Sequence, residues 1–380
     1  MNVFIIAAPY QILNAIEAVY HFNLTKNVLV ILYIGLFKKN DFEVMLDKKH
    51  WDSIKYIDFV YQFTNVDFGK EKPRNFYEKI LELYLVFDQF IKRRKIDKFC
   101  NSIKSLENLF LGNYLKDYDL HMRHIANKIH YQNLYLLDVG TDTLRINRQR
   151  VKENIERNYK NDNLIKIKEN TTANEQLKLF SLKAIKRKLR NAYVDWNAEG
   201  VEKLTYFTSY DFEVNGEDRI LKNSYEYSKS VLKTAQPSED VLFLGQPLID
   251  QGYLTIEVFV GYMRKIKNYF QGDQLFYVPH PRESDKQIKI VQDYVGIKIK
   301  RFSAVIEYEI AFSGKKPRCI ASFFTSAIEN CSIMFGNSVD FVSFYLPRKN
   351  LLKDHEVVEM IYCSFKSGKF KNLIKVISPS

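Results

Sequence analysis

Short apolar runs that alternate with segments of helical spacing restrict the possible folds of this chain more than any other feature. Residues 2–8 and 28–34 are such runs, each as long as one strand, and between them Ile12, Ile16 and Tyr20 lie on one helical face. A strand that is buried on both faces of a parallel sheet has this continuous apolar character. The opening of the chain therefore predicts a β-α-β unit.

The same alternation continues along both halves of the chain. It predicts further strands at residues 56–63, 108–111, 134–138, 241–245, 275–278, 295–299, 319–323 and 339–344. It predicts further helices at residues 76–95, 121–129, 253–270, 305–311 and 326–334. Strands that alternate with helices in this way indicate doubly wound α/β domains.

Length and local composition divide the chain into two domains. The 380 residues exceed one ordinary domain, and residues 236–240 have the composition of a turn-like linker. We expect a first Rossmann-like domain at residues 1–236 and a second at 237–380. The first includes a polar helical insertion at about 147–190 that is rich in Lys, Arg, Asn and Glu. Two such domains predict the α/β fold called GT-B, in which two Rossmann-like domains face each other across a cleft.

An excess of basic residues makes the chain positively charged. Lys and Arg number 57 against 45 Asp and Glu, a formal charge of +12, which favours an anionic partner such as nucleic acid, acidic lipid or a phosphorylated ligand. A nucleic-acid-binding protein is one hypothesis, although no recognisable DNA- or RNA-binding module is present. The basic runs predict solvated helix faces or, taken together, a surface that contacts an anionic membrane. They comprise residues 92–95, residues 183–190, and Lys366, Lys369, Lys371 and Lys375.

Cysteine usage and the apolar segments predict a cytoplasmic protein. The four cysteines form no C-x-x-C pair, so neither a disulfide framework nor a zinc ribbon is predicted. The amino terminus lacks the basic segment of a signal peptide, and the apolar residues 28–37 are too few to cross a bilayer. We expect a soluble protein that is at most peripheral to the inner face of the cytoplasmic membrane.

The sharpest chemical signal is the segment FYVPHPR at residues 276–282. Pro279 and Pro281 restrict the backbone on either side of His280. They present the imidazole at the carboxyl end of a predicted strand, where α/β sheets bind ligands. A histidine there can donate a proton or a hydrogen bond near neutral pH. The alternative interpretation is a loop histidine that bonds a backbone carbonyl.

Hydroxyl residues follow the predicted strand at 319–323. Ser322, Thr325 and Ser326 surround the predicted start of the next helix, and free N–H groups at a helix start form an anion site that suits phosphate. The alternative is a helix N-cap without a ligand. A third strand end, at Gly245 and Gln246, brings backbone to the same edge of the second sheet.

A carboxylate follows the predicted strand at 134–138 in the first half of the chain. Gly140 permits a tight turn there, and Asp138 or Asp142 can accept a proton from a hydroxyl nucleophile. An Asx-turn or a helix cap is the alternative role for either residue.

Taken in chain order, these motifs resemble those of bacterial sialyltransferases, which carry an acidic-acidic-Gly motif, a His-Pro motif and a Ser/Thr motif. Asp138-Val139-Gly140 is similar to the first motif and His280-Pro281 to the second. The Ser322, Thr325 and Ser326 cluster is similar to the third. Residues 8–15 (APYQILNA) resemble the first strand-to-helix turn of capsule and lipooligosaccharide transferases. The strongest resemblance is to the lipooligosaccharide α-2,3-sialyltransferases, with the bacterial polysialyltransferases as relatives.

The resemblance implies a metal-independent, inverting GT-B glycosyltransferase that needs no cofactor. Its donor would be a CMP-activated nonulosonic acid, such as CMP-sialic acid or CMP-pseudaminic acid, and its acceptor a hydroxyl of a capsule or lipooligosaccharide glycan. No nucleic-acid partner is implied. A transferase of the same fold that uses another nucleotide sugar is the alternative function.

The resemblance also implies roles for individual residues. Asp138 would deprotonate the acceptor hydroxyl, and His280 would protonate or hydrogen-bond the departing phosphate. Val139 occupies the second acidic position of the family motif, so Asp138 is the only carboxylate of that motif. Donor contacts are implied for Gly245, Gln246, Pro281, Arg282, Ser322, Thr325 and Ser326, with Glu307 or Glu309 near the cytidine and ribose. Acceptor contacts are implied for Pro9, Tyr10, Gln11 and Asp142.

Other motifs support different chemistry less well. Asp117-Tyr118-Asp119 fits the D-x-D pattern of metal-dependent transferases, but its place before a predicted helix favours a helix cap. His121 and His124 share that helix without a third metal ligand. The dinucleotide-binding and Walker patterns are absent from the sequence, which argues against NAD and P-loop chemistry.

Overall fold

The computed structural model describes residues 1–34, 37–58, 76–115, 120–140, 142–167, 197 and 199–379. Two compact units make up the chain, Met1–Asn223 and Ser224–Ser380. We call them unit 1 and unit 2.

Unit 1 is built on a parallel sheet. Its helices are α1 (Tyr10–His21), α2 (Lys39–Glu43), α3 (Phe76–Asn101), α4 (Leu120–Lys128) and α5 (Asp142–Ile167). Its strands are β1 (Asn2–Ile6), β2 (Asn27–Tyr33), β3 (Ser53–Asp58), β4 (Leu106–Leu111), β5 (Tyr131–Leu137), β6 (Thr205–Thr208) and β7 (Arg219–Lys222). The described strands pair in the order β3-β2-β1-β4-β5-β6-β7, which begins as in a Rossmann domain.

Unit 2 repeats this architecture with its own parallel sheet. Its strands are β8 (Gln236–Leu244), β9 (Gln274–Val278), β10 (Lys298–Ile299), β11 (Lys315–Ser322), β12 (Asp340–Phe344) and β13 (Ile374–Ile377), in the order β10-β9-β8-β11-β12-β13. Its helices are α6 (Glu226–Leu232), α7 (Ile256–Tyr269), α8 (Asp285–Ile290), α9 (Ile306–Phe312), α10 (Ser326–Phe335) and α11 (His355–Phe365). A π-helical turn, Val291–Val295, continues α8. The predicted α/β fold of two Rossmann-like domains is confirmed.

The unbroken apolar runs of the sequence form the central strands. Every residue of β1 is buried, because helices cover both faces of the sheet. The strand register places Phe4, Phe110 and Tyr135 side by side on β1, β4 and β5. Their rings stack, with centroids 4.2 Å apart for Phe4 and Phe110 and 4.8 Å apart for Phe110 and Tyr135. This aromatic row is a core element of unit 1 that strand pairing itself creates.

The predicted linker at residues 236–240 is wrong, because these residues form the first half of β8. Pro237 is accommodated because this part of β8 pairs only with β11, whereas pairing with β9 begins at Asp240. A proline lacks the N–H that a second neighbouring strand would require.

The division between the units lies at residues 223/224, whereas the sequence analysis placed it at residue 237. The difference arises from α6, which packs against α9 and α10 of unit 2. Of the predicted polar insertion, residues 147–167 belong to the helix α5, and residues 168–190 lie outside the described residues. Residues 59–63 of the third predicted strand lie outside them too.

We also examined the helices for membrane-spanning character. Within the described residues, none combines the length and the apolar composition that a membrane crossing requires.

Candidate functional site

The carboxyl ends of the strands locate the candidate site of unit 2. In a parallel sheet of this order, ligands bind where the connections leave neighbouring strands in opposite directions. That point lies between β8 and β11, the two strands whose pairing is central to the sheet. Gly245 and Gln246 follow β8, Ser322 ends β11, and Thr325 follows shortly after. The structure therefore brings these four predicted donor-binding residues to one edge.

The side chain of Gln246 bridges the two strand ends. Its Oε1 atom accepts a hydrogen bond from the backbone N–H of Phe324 at 3.0 Å, and its own backbone carbonyl accepts one from Gln287 Nε2 at 2.7 Å. Gln246 is 9% exposed. Because its Oε1 is held by the chain after β11, the orientation of the amide group is fixed, and its Nε2 atom is a hydrogen-bond donor.

Ser322 lies inside the sheet edge. It is fully buried, and its hydroxyl donates to the carbonyl of Leu244 at 2.9 Å. A serine has a single hydroxyl proton, and Ser322 uses it for this bond, which joins β11 to β8. The structure thus places Ser322 beneath the edge, whereas the other two residues of the predicted Ser/Thr motif lie above it.

Thr325 and Ser326 form the start of α10. Thr325 is the N-cap residue, and its Oγ1 accepts a hydrogen bond from the backbone N–H of Ala327 at 3.3 Å. Ser326 is the first residue of the helix and is exposed. The start of α10 therefore presents a hydroxyl and backbone N–H groups at the carboxyl edge, in the positive field of the helix.

His280 follows β9 and carries a defined hydrogen bond on one ring nitrogen. The backbone N–H of Arg282 donates to His280 Nδ1 at 3.0 Å. In the neutral ring, the proton therefore lies on Nε2. Burial lowers the pKa of His280 below its ordinary value, and the nearby Arg282 charge lowers this pKa further. At neutral pH the ring is thus a neutral donor through Nε2, and the neighbouring Pro281 and Arg282 are exposed.

Glu283 is a residue of this site that the sequence analysis missed. Its carboxylate accepts hydrogen bonds from the backbone N–H of His280 at 2.7 Å, from Tyr277 Oη at 2.7 Å and from a third donor, the Nε2 of Gln287, at 2.9 Å. Burial raises the pKa of Glu283, and these hydrogen bonds oppose that rise. The signal available in the sequence was an acidic residue at the end of the turn that begins with His280.

The close packing around Glu283 explains why residue 245 is glycine. A Cβ atom at Gly245 would lie 2.3 Å from Glu283 Oε1 and 2.5 Å from Tyr277 Oη. Either distance is far inside van der Waals contact, so a side chain at this position would displace the carboxylate. Gly245 therefore shapes the site through packing.

Glu307 and Glu309 lie in α9 and have different surroundings. Glu309 Oε1 accepts from the backbone N–H groups of Ser303 and Ala304, both at 2.9 Å, and so caps the loop before α9. Glu307 is buried, and its Oε1 accepts from Asn330 Nδ2 of α10 at 3.1 Å. Burial raises the pKa of Glu307. Of the two, Glu307 is the one that contacts the helix whose start forms the candidate phosphate site.

Unit 1 has a related arrangement between β1 and β4. Gln11 lies in the first turn of α1, and its Oε1 accepts from the backbone N–H groups of Ala7 at 2.8 Å and Ala8 at 3.1 Å. Its Nε2 donates to the carbonyl of Gly112 at 2.8 Å. Both ends of this buried side chain therefore join the two strand ends. Pro9 is the buried residue before α1, and Tyr10, the first residue of the helix, is half-buried.

Asp138 is completely buried at the end of β5. Its carboxylate accepts hydrogen bonds from Thr143 Oγ1 at 3.0 Å, from Thr208 Oγ1 at 2.5 Å and from the backbone N–H of Ser209 at 2.7 Å. Burial raises its pKa, and these hydrogen bonds oppose the rise. The arrangement joins the ends of β5 and β6, and solvent does not reach the carboxylate.

Asp142 lies in a different environment from Asp138. It is the first residue of α5 and is half-buried. The turn between the two carboxylates includes Gly140, which has a φ of +66°, a value that favours glycine. Of the two candidate bases, Asp142 is therefore the one that solvent reaches.

A buried polar network that the sequence analysis missed supports this edge of unit 1. Asn14 of α1 donates through Nδ2 to the carbonyl of Asp138 at 3.0 Å, and its Oδ1 accepts from Asn223 Nδ2 at 3.2 Å. Asn223 in turn donates its backbone N–H to the carbonyl of Thr208 at 2.8 Å. Polar residues within apolar segments were the available signal, but their partners are distant in sequence.

The remaining candidate residues either make contacts within the fold or lie outside the described residues. His121 is buried, and His124 contacts Asp97 at 2.9 Å. Asp117-Tyr118-Asp119 lies outside the described part of the chain. Across that described part, no three His, Cys, Asp or Glu side chains are grouped as metal ligands would be.

Lys371 and Lys375 line a groove of about 720 Å³ together with Asp273, Arg318 and Asp340, at the amino edge of the unit 2 sheet.

Comparison with known proteins finds similarity at the level of fold. No protein-family model matches the chain, and a search of curated proteins finds no match either. Among solved structures, the chain is similar to the GT-B domain of a sialyltransferase from Photobacterium damselae, with 12% identity, a TM-score of 0.43 and coverage of 99% of both chains.

Two further solved structures have the same degree of likeness. One is the E. coli heptosyltransferase WaaC with ADP, with 10% identity, a TM-score of 0.43 and coverage of 100% of this chain and 93% of that one. The other is UGT2 of Phytolacca americana, with 9% identity, a TM-score of 0.45 and coverage of 98% and 87%. At these identities the likeness concerns the fold and does not distinguish one donor from another.

Proposed function

We propose that this protein is an inverting glycosyltransferase that moves a nonulosonic acid from a CMP-activated donor to a hydroxyl of a capsule or lipooligosaccharide glycan. The observation that carries the proposal is the state of His280, a neutral ring with its proton on Nε2 at the carboxyl edge of unit 2. The order of the Asp-Val-Gly, His-Pro and Ser/Thr motifs supports the choice of donor.

The proposed donor makes stabilisation of the leaving group the main task of unit 2. The anomeric carbon of a nonulosonic acid carries a carboxylate and reacts through an oxocarbenium-like state. When its bond to the CMP phosphate oxygen breaks, the electron pair remains on the phosphate. Preorganised donors aimed at that oxygen lower the barrier. We assign this role to His280 Nε2, with the amide of Gln246 and the start of α10 at Thr325 and Ser326 binding the other phosphate oxygens.

The position of Arg282, Glu307 and Glu309 suggests secondary roles around the same donor. Arg282 is exposed beside His280 and supplies a positive charge for the donor anion. The contact of Glu307 with α10 favours Glu307 over Glu309 as the residue near the cytidine and ribose, because Glu309 caps its own loop.

Unit 1 supplies the base in this proposal. The acceptor oxygen forms a bond to the anomeric carbon, and its proton passes to a carboxylate. A base must come within hydrogen-bond reach of the hydroxyl. Asp138 is completely buried whereas Asp142 is half-buried, so Asp142 is favoured for this step. Asp138, whose oxygens are held by Thr143, Thr208 and Ser209, then fixes the turn that carries Asp142. The half-buried Tyr10 and the neighbouring Pro9 are the proposed acceptor contacts.

The proposal includes no metal or other cofactor, because protein groups are assigned to each developing charge. Transfer should therefore continue in excess EDTA at an unchanged rate. A loss of at least about tenfold, restored by a divalent cation, would assign the charge stabilisation to the metal.

We propose a cytoplasmic enzyme whose acceptor lies at an anionic membrane surface, and the basic character of the chain supports the membrane contact. The net charge is +12, and lysines near an anionic leaflet each contribute about 1 kcal/mol. Sedimentation with vesicles that contain phosphatidylglycerol, compared with phosphatidylcholine vesicles, tests this contact. Equal sedimentation with both would rule out an electrostatic attachment.

Thermal denaturation with a panel of nucleotides tests the donor class. CMP at 100 times its dissociation constant should stabilise the fold by about 2.7 kcal/mol, whereas UDP, GDP and ADP at the same concentration should not. Stabilisation by UDP or ADP alone would identify the alternative, a GT-B enzyme with another nucleotide sugar. Stabilisation by none of them, with salt-dependent binding of nucleic acid, would support the nucleic-acid hypothesis.

A further inference from the structure

We infer that Glu283 is a positioning residue that holds the His280 ring in the orientation and tautomer that leaving-group stabilisation needs. This inference rests on the proposed function for its catalytic meaning, but its structural part concerns the protein without any ligand. Glu283 is not assigned to bind the donor, because protein groups donate hydrogen bonds to both oxygens of its carboxylate.

Two hydrogen bonds between Glu283 and His280 close the loop. The backbone N–H of His280 donates to Glu283 Oε1 at 2.7 Å, and the backbone N–H of Glu283 donates to the carbonyl of His280 at 2.9 Å. Between these residues, Arg282 donates its N–H to the ring at Nδ1. The bond that fixes the tautomer of His280 is thus formed within a loop that Glu283 closes.

The second oxygen of Glu283 anchors the loop to the body of unit 2. Oε2 accepts from Tyr277 Oη at 2.7 Å and from Gln287 Nε2 at 2.9 Å. Both partners are fully buried, one on β9 and the other on α8. Because a strand and a helix hold the carboxylate, the position of the His280 loop is fixed relative to both elements.

The same network reaches the neighbouring strand end. Gln287 Nε2 also donates to the carbonyl of Gln246 at 2.7 Å, and its Oε1 accepts from the backbone of Ile249 at 2.9 Å. Gly245 leaves the space that Glu283 occupies. The two groups proposed to bind the leaving phosphate, His280 and Gln246, are therefore fixed relative to each other through Glu283 and Gln287.

A carboxylate suits this position because its contacts are all with donors. The backbone N–H of His280 and the amide N–H of Gln287 can only donate. In Glu283→Gln, one carboxylate oxygen becomes an NH₂ group. If that group faces Gln287 Nε2, two donors meet, and if it faces His280, the bond that closes the loop is lost. The substitution keeps the shape of the side chain and removes only the pairing of each carboxylate oxygen with a hydrogen-bond donor.

The tautomer of His280 is the direct readout of the inference. Histidine labelled with ¹⁵N gives separate signals for the two ring nitrogens, and the His280 signals are identified by their absence in His280→Gln. We expect the protein as expressed to show a single Nε2–H tautomer, and Glu283→Gln to show a mixture. An unchanged tautomer in Glu283→Gln would overturn the inference without bearing on the donor.

Steady-state transfer separates positioning from stability. We expect Glu283→Gln to lower kcat at least about tenfold while the KM for the CMP donor changes less than threefold. The matched control is Tyr362→Phe, which removes one buried hydroxyl that donates to the carbonyl of Phe344 at 2.8 Å in the same unit. If Tyr362→Phe lowers kcat as much at equal loss of melting temperature, Glu283 has only a structural role.

A milder variant covers the case in which Glu283→Gln does not fold. Tyr277→Phe removes one donor to Glu283 Oε2 and leaves the bond to the backbone of His280. We expect a smaller fall in kcat and a smaller change in tautomer than in Glu283→Gln. The opposite order would contradict the inference. If CMP does not stabilise even the unsubstituted protein, the proposed function fails, whereas the tautomer experiment still decides the role of Glu283.

Discussion

The backbone N–H of Arg282 donates a hydrogen bond to Nδ1 of His280 at 3.0 Å. A backbone donor cannot be removed by substitution of the Arg282 side chain, so the fold itself assigns the tautomer. A histidine that is fixed in this way offers Nε2–H to a ligand and holds no proton on Nδ1. The ring is therefore a hydrogen-bond donor at neutral pH, and it becomes a cation only at the expense of this bond.

Substitution of His280 distinguishes hydrogen bonding from proton transfer. His280→Ala should lower kcat for transfer by about 100-fold or more, because it removes a donor aimed at the leaving group. His280→Gln should retain part of that activity if hydrogen bonding is the main contribution, since its amide donates but cannot release a proton. Equal losses in the two variants would instead indicate a general acid, and full activity in His280→Ala would exclude the residue from the reaction.

The pH profile should report the environment of His280. Its pKa is lowered by burial and by the charge of Arg282, so the neutral ring persists below the ordinary pKa of about 6.5. If protonation of Nδ1 disrupts the site, kcat/KM should fall at acid pH with a midpoint below 6.5, and Arg282→Gln should move that midpoint upward. A midpoint above 6.5 would contradict this assignment.

The two carboxylates of unit 1 should differ in their effect on stability. Asp138→Asn places an NH₂ group in the buried site that holds Thr143, Thr208 and the backbone of Ser209, which should cost about 1–3 kcal/mol. Asp142→Asn removes a negative charge from the first turn of α5, so it should cost at most about 1 kcal/mol of stability and lower kcat at least about 100-fold. Both should retain stabilisation by CMP, because neither lies in unit 2. A stable but inactive Asp138→Asn, with an active Asp142→Asn, would reverse the assignment of the base.

Two glycines of unit 2 give a matched pair of substitutions. Gly245→Ala would place its Cβ 2.3 Å from Glu283 Oε1, so it should destabilise unit 2 by about 1–3 kcal/mol and abolish stabilisation by CMP. Gly261 lies within α7, and a Cβ there meets no atom within 4 Å. Gly261→Ala should therefore stabilise the fold by about 0.5–1 kcal/mol. Urea denaturation of both variants, with and without CMP, measures these differences.

The buried His121 should make unit 1 less stable in acid. Burial lowers its pKa from 6.5 to about 4, so the folded state favours the neutral ring while the unfolded chain binds a proton below pH 6.5. The stability that depends on this ring is complete above pH 6.5 and is lost progressively as the pH falls toward 4. The total is about 3 kcal/mol for a shift of this size.

His121→Phe, which cannot titrate, provides the comparison. The difference in unfolding free energy between this variant and the unsubstituted protein should depend on pH between 6.5 and 4 and be constant above 6.5. A difference that is constant over the whole range would show that His121 is not the titrating group.

Periodicity predicted most of the fold because the central strands are buried on both faces. The run at residues 2–8 contains β1, and every residue of that strand is buried, so its apolar pattern is continuous. The strands β6 (TYFT) and β7 (RILK) were missed because polar or charged residues at both ends leave only two apolar residues in each. The start of β8 was missed because Pro237 is typical of a linker. A proline fits in this part of the strand because it pairs with β11 alone.

The site could be predicted only in part. Strand ends followed by His280, Thr325 and Asp138 were visible, because parallel strands bring their carboxyl ends to one edge. The burial of Asp138 was not visible, since its partners Thr208 and Ser209 are about 70 residues away. Contacts between side chains so far apart in the sequence produce no local pattern from which they could be predicted.

The sequence by itself determined the class of fold, the two units and the edges at which chemistry is possible, because these follow from local periodicity and from chain direction in a parallel sheet. Only the tertiary structure decided which side chains are available there. It committed Ser322 and Gln11 to joining strand ends, and it used Glu283 to hold His280. Hydrogen-bond partners and burial depend on residues brought together from distant parts of the chain, and that information exists only once the chain has folded.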